Sequence, residues 1–424
     1  MVSLGAQLRR YSGVGPGFDA ARLVLALAIL CWHSVLTSYG QAAEAAVWAN
    51  WMSAPLTALM PMFFALSGFL VMGSFERTQD LKRFLGLRAL RIVPALATEI
   101  LVSALLLGSV LTTRTLTAYF SDPMFLKYFG SLVGKVSYVL PGVFERNPDP
   151  GQVNISLWTI APELSCYVYL GLQIALRLRR VGVTVTAVVL LLANVAADLG
   201  EPLAAPDGVV LARYLVVSFA FGNLLYLWRD VVPFQRGAFL VCLVAGLALV
   251  KQPAFIYIAL FCLAYVVVFI GCKPVAVPYP FSTGDYSYGI YLYAFPIQQM
   301  FSFFFPTHRE FYWNILACGP VVALVAFASW WGIERPALRG KRLLHGLPRT
   351  PSLPSYAQMA IPTVGLAAYG VLLSISSGFI PSHTLAVALP AAAAGAAGLA
   401  GLRLVHLRRS ARRNLDGKAP EGAW

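Results

Sequence analysis

Arg22 and His33 stand eleven residues apart in "FDAARLVLALAILCWHS", residues 18–34. On a helix that spacing is three turns, so both side chains share one face about 16 Å apart. A guanidinium and an imidazole in an apolar run cost free energy unless they line a polar cavity. "LGLRALRIVPAL" adds Arg88 and Arg91, an i, i+3 pair able to hold phosphate oxygens by bidentate hydrogen bonds. Glu163, in "NISLWTIAPELSCYVY", counts to roughly 10 Å below the far surface, a depth similar to that of His33. A carboxylate beside an imidazole makes a general base, because it orients the ring and stabilises its cation. Plainer readings stand beside these: a snorkelling arginine, a hydrogen-bonded core histidine, arginines that only mark a cytoplasmic boundary, and a glutamate bound to backbone or Trp groups.

"DYSYGIYLYAFPIQQ" puts Tyr288 and Tyr291 on one face and carries Gln298 and Gln299 to about the level of His33. Boundary tyrosines are ordinary interface anchors, whereas two glutamine amides in lipid both need partners. Trp158, Tyr291, Gln298 and Gln299 are therefore the candidates for substrate contacts, with Glu99 and Arg213 as lesser ones. The six cysteines lie in or at the ends of apolar segments, with no C-x-x-C pair, and no metal is expected. No Gly-rich phosphate loop or serine-hydrolase block occurs, so any chemistry must come from residues within the membrane.

The elements that carry these residues follow from composition. Of 424 residues, 58% are hydrophobic and 12% charged, and the mean hydropathy is +0.71. Apolar segments centre on 19–39, 53–73, 90–111, 156–176, 181–198, 209–228, 236–250, 254–272, 285–304, 313–333, 357–379 and 384–405. That pattern predicts an all-α polytopic bundle. Arg22 interrupts what would be the core of a signal peptide, so the first span is read as retained. Alternate connections hold Arg77, Lys82, Arg83 and Arg88, then Arg177, Arg179 and Arg180, then Arg229 and Arg236, then Lys273, then Arg335, Arg339, Lys341, Arg342 and Arg349. This alternation places both termini in the cytoplasm, and it accounts for the net charge of +14 without a nucleic-acid partner. The long connection 112–155 is the exception. Within it "MFLKYFGSLVGKVSYVL" is read as one interfacial or re-entrant helix, and a loop of that length is more often functional than idle.

Taken in order, "FDAARLVLALAILCWHS", "PMFFALSGFLVMGS", "LRALRIVPAL", "VNISLWTIAPELSCYVY", "YSYGIYLYAFPIQQ" and "WGIERP" resemble the membrane acyltransferase family 3. The resemblance covers residues 18 to about 336. It implies a ten-span domain that moves an acyl group, usually acetyl, from cytoplasmic acyl-CoA to an acceptor hydroxyl at the opposite face. It further implies that Arg22 and His33 match the family's basic residue and first-span histidine, Arg88 and Arg91 its RxxR, and Glu163 the acidic residue after "SLWT". Many members carry a histidine where this chain has Ala294, and no extracytoplasmic hydrolase-like domain follows here.

The resulting expectation is a cytoplasmic segment 1–17, an acyltransferase domain 18–340, two further spans within 341–406 and a basic cytoplasmic tail 407–424. The small residues of "LPAAAAGAAGLAGL" suit close helix packing, including pairing of two copies. The donor would be acetyl-CoA or another acyl-CoA, bound at Arg22, Arg88 and Arg91. The acceptor would be a sugar or glycolipid, and the setting a bacterial inner membrane with its lipids. His33 with Glu163 would deprotonate the acceptor, or His33 would be acylated in transit. Buried Arg, His and Glu also suit a proton-coupled transporter or lipid flippase, although no two-fold repeat of motifs relates the halves. An inactive scaffold with the same fold is the third reading.

Overall fold

The computed structural model describes residues 2–13, 15–199 and 210–345. The two C-terminal apolar segments, the small-residue run and the basic tail lie outside the described residues. Among the described residues there are helices, two isolated β-bridges and no strand. In chain order they begin with α1 (Leu4–Arg9), α2 (Phe18–Tyr39), α3 (Gln41–Trp48), α4 (Ser53–Thr78) and α5 (Leu81–Leu101). A π-helical turn, Val102–Leu107, extends α5 into α6 (Gly108–Leu111), and α7 (Leu116–Ser121) and α8 (Pro123–Phe129) follow. After them come α9 (Ile160–Ala175), α10 (Arg180–Leu199), α11 (Ala212–Leu227), α12 (Arg236–Leu249) and α13 (Ile256–Gly271). The series closes with α14 (Ser287–Phe304), α15 (Phe311–Ser329), a second π-turn at Trp330–Glu334, α16 (Arg335–Arg339) and α17 (Lys341–His345).

A helix thus lies on each apolar segment up to residue 333. Phe18–Tyr39, Ser53–Thr78, Leu81–Leu111, Arg180–Leu199, Pro253–Gly271 and Phe311–Leu344 are long and apolar enough to cross a bilayer. Large apolar side chains such as Val24, Leu106, Val110, Leu192, Ile258 and Leu324 are left exposed on them. Water would penalise that surface and lipid does not, so the chain is an integral membrane protein.

Two helix contacts set the frame. α4 and α11 approach through glycines: a Cβ on Gly222 would lie 2.0 Å from the Ala65 carbonyl oxygen, and one on Gly68 2.1 Å from that of Phe219. α2 and α14 run parallel, joined by Arg22 to Asp285, Gln298 to the Leu30 carbonyl (2.9 Å) and Ser302 to the Thr37 carbonyl (2.7 Å). The end of the bundle where α2 begins is called the near end below, and the end at Tyr39 the far end.

The long connection differs from the single helix expected of it. α8, with Asp122 capping the Met124 amide at 2.8 Å, gives way to a 3-10 turn at Gly130–Val133. Gly134, at φ +83°, ends that turn, because a left-handed backbone cannot continue the helix. The chain then folds back, with Val139 bridging Gln152. At its close, Pro148 meets the end of α2, its carbonyl oxygen 2.5 Å from where a Gly40 Cβ would stand. Burial pushes the Asp149 carboxyl up to about 6, against a hydrogen bond from Gln41 that lowers it and with Glu44 adding repulsion.

Two outcomes are expected. Gly222→Leu forces α4 and α11 apart at a cost of about 1–3 kcal/mol, read as a lower thermal unfolding midpoint in detergent. The Asp149 group favours the fold below its ordinary pKa of about 3.9, and that advantage is lost as pH rises through about 6. Unfolding midpoints measured from about pH 4 to 7 should fall in the wild type and fall less in Asp149→Asn.

Candidate functional site

At the near end the arginines do not stand alone. Asp285, two residues before α14, receives Arg22 and Arg91 on the same oxygen, Oδ2, each at 2.5 Å. Arg91 also donates to Glu334 at 3.1 Å, and Glu334 accepts from Ser329 at 3.1 Å. Ser287 donates to the other Asp285 oxygen at 2.6 Å. Asp19, 70% exposed, stands 3.7 Å from Arg22 and is the weaker partner. The network ties α2, α5, the approach to α14 and the π-turn after α15 together. Sequence reading missed both of its carboxylates. Asp285 sits in "GDYS" and Glu334 in "WGIERP", and two acids at span boundaries near unpaired arginines were the available signal.

Arg88 is placed differently. Among the described residues it bonds to no carboxylate; its guanidinium lies 6.0 Å from the Phe84 ring centre and 5.9 Å from that of Tyr167, and its buried Nε has no partner. The Tyr167 hydroxyl donates to Glu163 at 2.7 Å. Glu163 lies within electrostatic reach of Arg91, Arg88 and Arg22. Glu163 therefore belongs with the arginines.

His33 is 9% exposed, its ring set edge-on against Phe295 at 5.2 Å between centres, and its buried Nδ1 has no hydrogen-bond partner. α14 serves as a ruler for the whole site. Asp285 meets Arg22 and Arg91, Tyr288 lies within electrostatic reach of Glu163, and Tyr291 bonds Thr159 (2.9 Å) and the Ser156 carbonyl (3.0 Å). Further along, Phe295 meets His33, Gln298 reaches Leu30, and Gln299 meets the long connection. Glu163 is within electrostatic reach of Tyr291 as well as Tyr288, and from these to Phe295 is four to seven residues, or about 6–10 Å of rise. His33 and Glu163 are thus offset along the bundle and form no pair, contrary to their expected common depth.

The reason lies before α9. Residues 147–154 descend from the far end through bends and turns and 155–159 as a 3-10 turn, so α9 begins deep in the bundle and counting helical rise from residue 156 misplaces Glu163. That descent is paid for by Asn154. Pro296 has no amide to give the Leu292 carbonyl, and Asn154 Nδ2 donates to it instead, at 3.0 Å. The same nitrogen donates to Glu99 Oε1 at 2.8 Å, as do Ser103 (2.9 Å) and Tyr128 (3.4 Å), while Oε2 of that buried carboxyl has no partner. Arg213 is paired with Asp198, which also accepts from Tyr257 at 2.6 Å. Trp158 is half-buried at the edge of the main apolar core, between His33 and the arginines by the same ruler. Ala294 is buried.

The arrangement can hold an anion near Arg88 and a proton acceptor at His33. Among the described residues no group of three or more His, Cys, Asp or Glu side chains could hold a metal ion.

Comparison with known proteins bears on this geometry. Residues 16–334 match the family model for the acyltransferase domain of the acyltransferase 3 type. The chain is 26% identical over 325 residues to the O-acetyl transferase of Shigella phage Sf6, covering 75% of this chain and 94% of that protein. It is 30% identical over 320 residues to Nodulation protein 10 of Rhizobium leguminosarum bv. viciae, covering 68% of this chain and 83% of that protein. No solved structure matches the chain. The family match decides between transporter and enzyme, and its span contains every residue of the polar stripe. The chain belongs to the acyltransferase 3 family and is a membrane O-acyltransferase.

Proposed function

We propose that the chain moves an acetyl group from acetyl-CoA, bound at the near end, to a hydroxyl of a glycan or glycolipid that reaches His33 from the far end. The observation that carries this reading is the stripe on α2. Arg22 and His33 face α14 together, one tied to Asp285 and the other against Phe295. The near end is the cytoplasmic one on this reading, because the basic connections belong to it. The relatives come from a phage of bacteria and from a bacterium, which suits a bacterial inner membrane.

Each residue then has a task. Arg88, free of carboxylates, takes the donor's phosphates by charge-assisted hydrogen bonds. Arg22 and Arg91 are held at the mouth by Asp285 and Glu334 and add positive potential beside it. Trp158 and Tyr291 line the way for the thioester arm. His33 takes the proton of the acceptor hydroxyl as its oxygen attacks the thioester carbonyl. The carbon–sulfur bond breaks, and the imidazolium returns the proton to the departing thiolate. Glu163 acts at a distance from this step, orienting Arg88 through Tyr167.

The tests separate these tasks. His33→Ala should lose acyl transfer by about 10²–10⁴-fold while acetyl-CoA binding, measured calorimetrically, is retained. Full activity in the folded variant would end the reading. Arg88→Ala should raise the KM for acetyl-CoA about tenfold, the equivalent of one charge-assisted hydrogen bond. Glu163→Gln should likewise act on donor KM and leave the pH dependence of kcat in place; a displaced pH profile would return Glu163 to the role of partner to His33.

A further inference from the structure

Above His33, the last turn of the long connection wraps one side chain of α14. Gln299 Nε2 donates to the carbonyls of Asp149 (2.9 Å) and Gln152 (2.7 Å), and Asn147 Nδ2 donates to Gln299 Oε1 (2.8 Å) and to its carbonyl (2.9 Å). Gln299 is one helical turn beyond Phe295, and Gly40, against which Pro148 rests, is on nearly the same face of α2 as His33, about 10 Å further out. Residues 147–152 therefore close the far end over the histidine.

The hydrogen bonds here are one-sided. Every amide nitrogen of Asn147, Gln298 and Asn314 is turned toward the scaffold: Asn147 toward Gln299, Gln298 toward the Leu30 carbonyl, and Asn314 toward Thr37 and the Gln298 carbonyl. What remains is a set of buried oxygens with no partner: Ser38 Oγ, Asn147 Oδ1, Asp149 Oδ2, Gln152 Oε1, Gln298 Oε1, Glu310 Oε2 and Asn314 Oδ1. Asn147, Asp149, Gln298 and Asn314 are at most 6% exposed. A bare buried acceptor costs about 1–3 kcal/mol, and folded proteins carry few of them. Seven at one end of the bundle, from the level of Leu30 to that of Gly40, extend over about 15 Å. Two of the seven, on Asp149 and Glu310, belong to carboxylates, and among the described residues no group of three or more His, Cys, Asp or Glu side chains could hold a metal ion there. The complement of a surface on which acceptors so outnumber donors is a ligand bearing several hydroxyl donors.

We propose that residues 147–152, with Gln298 and Asn314, form the acceptor-recognition element, which takes the hydroxyls of a polyhydroxylated acceptor and presents one of them to His33. The inference rests on the acyltransferase reading above. The acceptor enters by lifting the segment from Gln299, and its hydroxyls then donate to the oxygens that the amides leave bare. A single small alcohol has too few donors to use this surface, so selectivity for sugars over simple alcohols originates here.

The test uses the full chain in nanodiscs with acetyl-CoA and the delipidated glycan fraction from the envelope of the organism that carries the gene, and ester formation is followed by mass spectrometry as glycan concentration varies. Asn147→Ala, Gln152→Ala and Asp149→Ala should each raise the KM for glycan about tenfold. Asp149→Asn, which keeps a neutral oxygen, should raise it less, and the KM for acetyl-CoA should stay within twofold throughout. Unchanged glycan saturation in all four variants would overturn the inference and leave the acyltransferase reading standing; the bare oxygens would then hold ordered water only. A parallel loss of acetyl-CoA affinity, or a lower unfolding midpoint in Asp149→Asn and Gln152→Ala, whose side chains do not bond Gln299, would mark the segment as structural and also overturn it. Absence of ester from the wild type with any hydroxyl compound would remove the reading and the inference together.

Discussion

One carboxylate oxygen governs the near end of this bundle. Asp285 Oδ2 accepts from Arg22 and Arg91 at once, and Arg91 reaches on to Glu334. Leaving any of these charges unpaired in a low-dielectric interior would cost about 3–5 kcal/mol. The chain therefore has little freedom in how α2, α5 and the π-turn after α15 meet the start of α14. With Arg22 fixed at Asp285, the parallel register of α2 on α14 follows, and with it the contact of His33 with Phe295. Both π-turns abut this machinery: one ends at Glu334, and the other begins three residues after Glu99. Such turns offset a helical face by a fraction of a turn, which aims a side chain that a regular helix would point elsewhere.

The same network shapes the electrostatics around Arg88. Arg22 and Arg91 carry internal carboxylate partners, whereas Arg88 lies between two rings. Three guanidiniums are thus held close together without collapse or mutual expulsion, because Asp285, Glu334 and Glu163 balance them. On the proposed reading, a donor phosphate would meet at Arg88 a guanidinium already set between two rings with its Nε buried, so less reorganisation would be needed to bind it.

A second device works from the other side. Pro296 frees a carbonyl in α14, and Asn154 fills the vacancy while holding Glu99. This lets non-helical chain run deep into the bundle, where it is buried in protein and not in lipid. The "SLWT" residues are thereby set against Tyr291, and α9 is left too short to match its hydropathy segment.

Much was legible beforehand. The ten helices up to residue 333, the shared face of Arg22 and His33, and the acyltransferase resemblance all came from residue type and spacing, which a helix converts into geometry by fixed rise and rotation. Glu163 was misplaced because that conversion assumes a helix from the membrane surface inward, and here the chain enters in another form. Asp285 and Glu334 went unassigned because their partners lie 263 and 243 residues away in sequence. The expected single helix in the long connection broke at Gly134, whose left-handed backbone the hydropathy pattern does not encode. The sequence by itself determined which segments enter the membrane and which polar groups go with them, because both follow from local hydropathy and helical period. Only the tertiary structure decided which of those groups meet, because a buried charge takes its partner from whichever helix packing brings within hydrogen-bond reach.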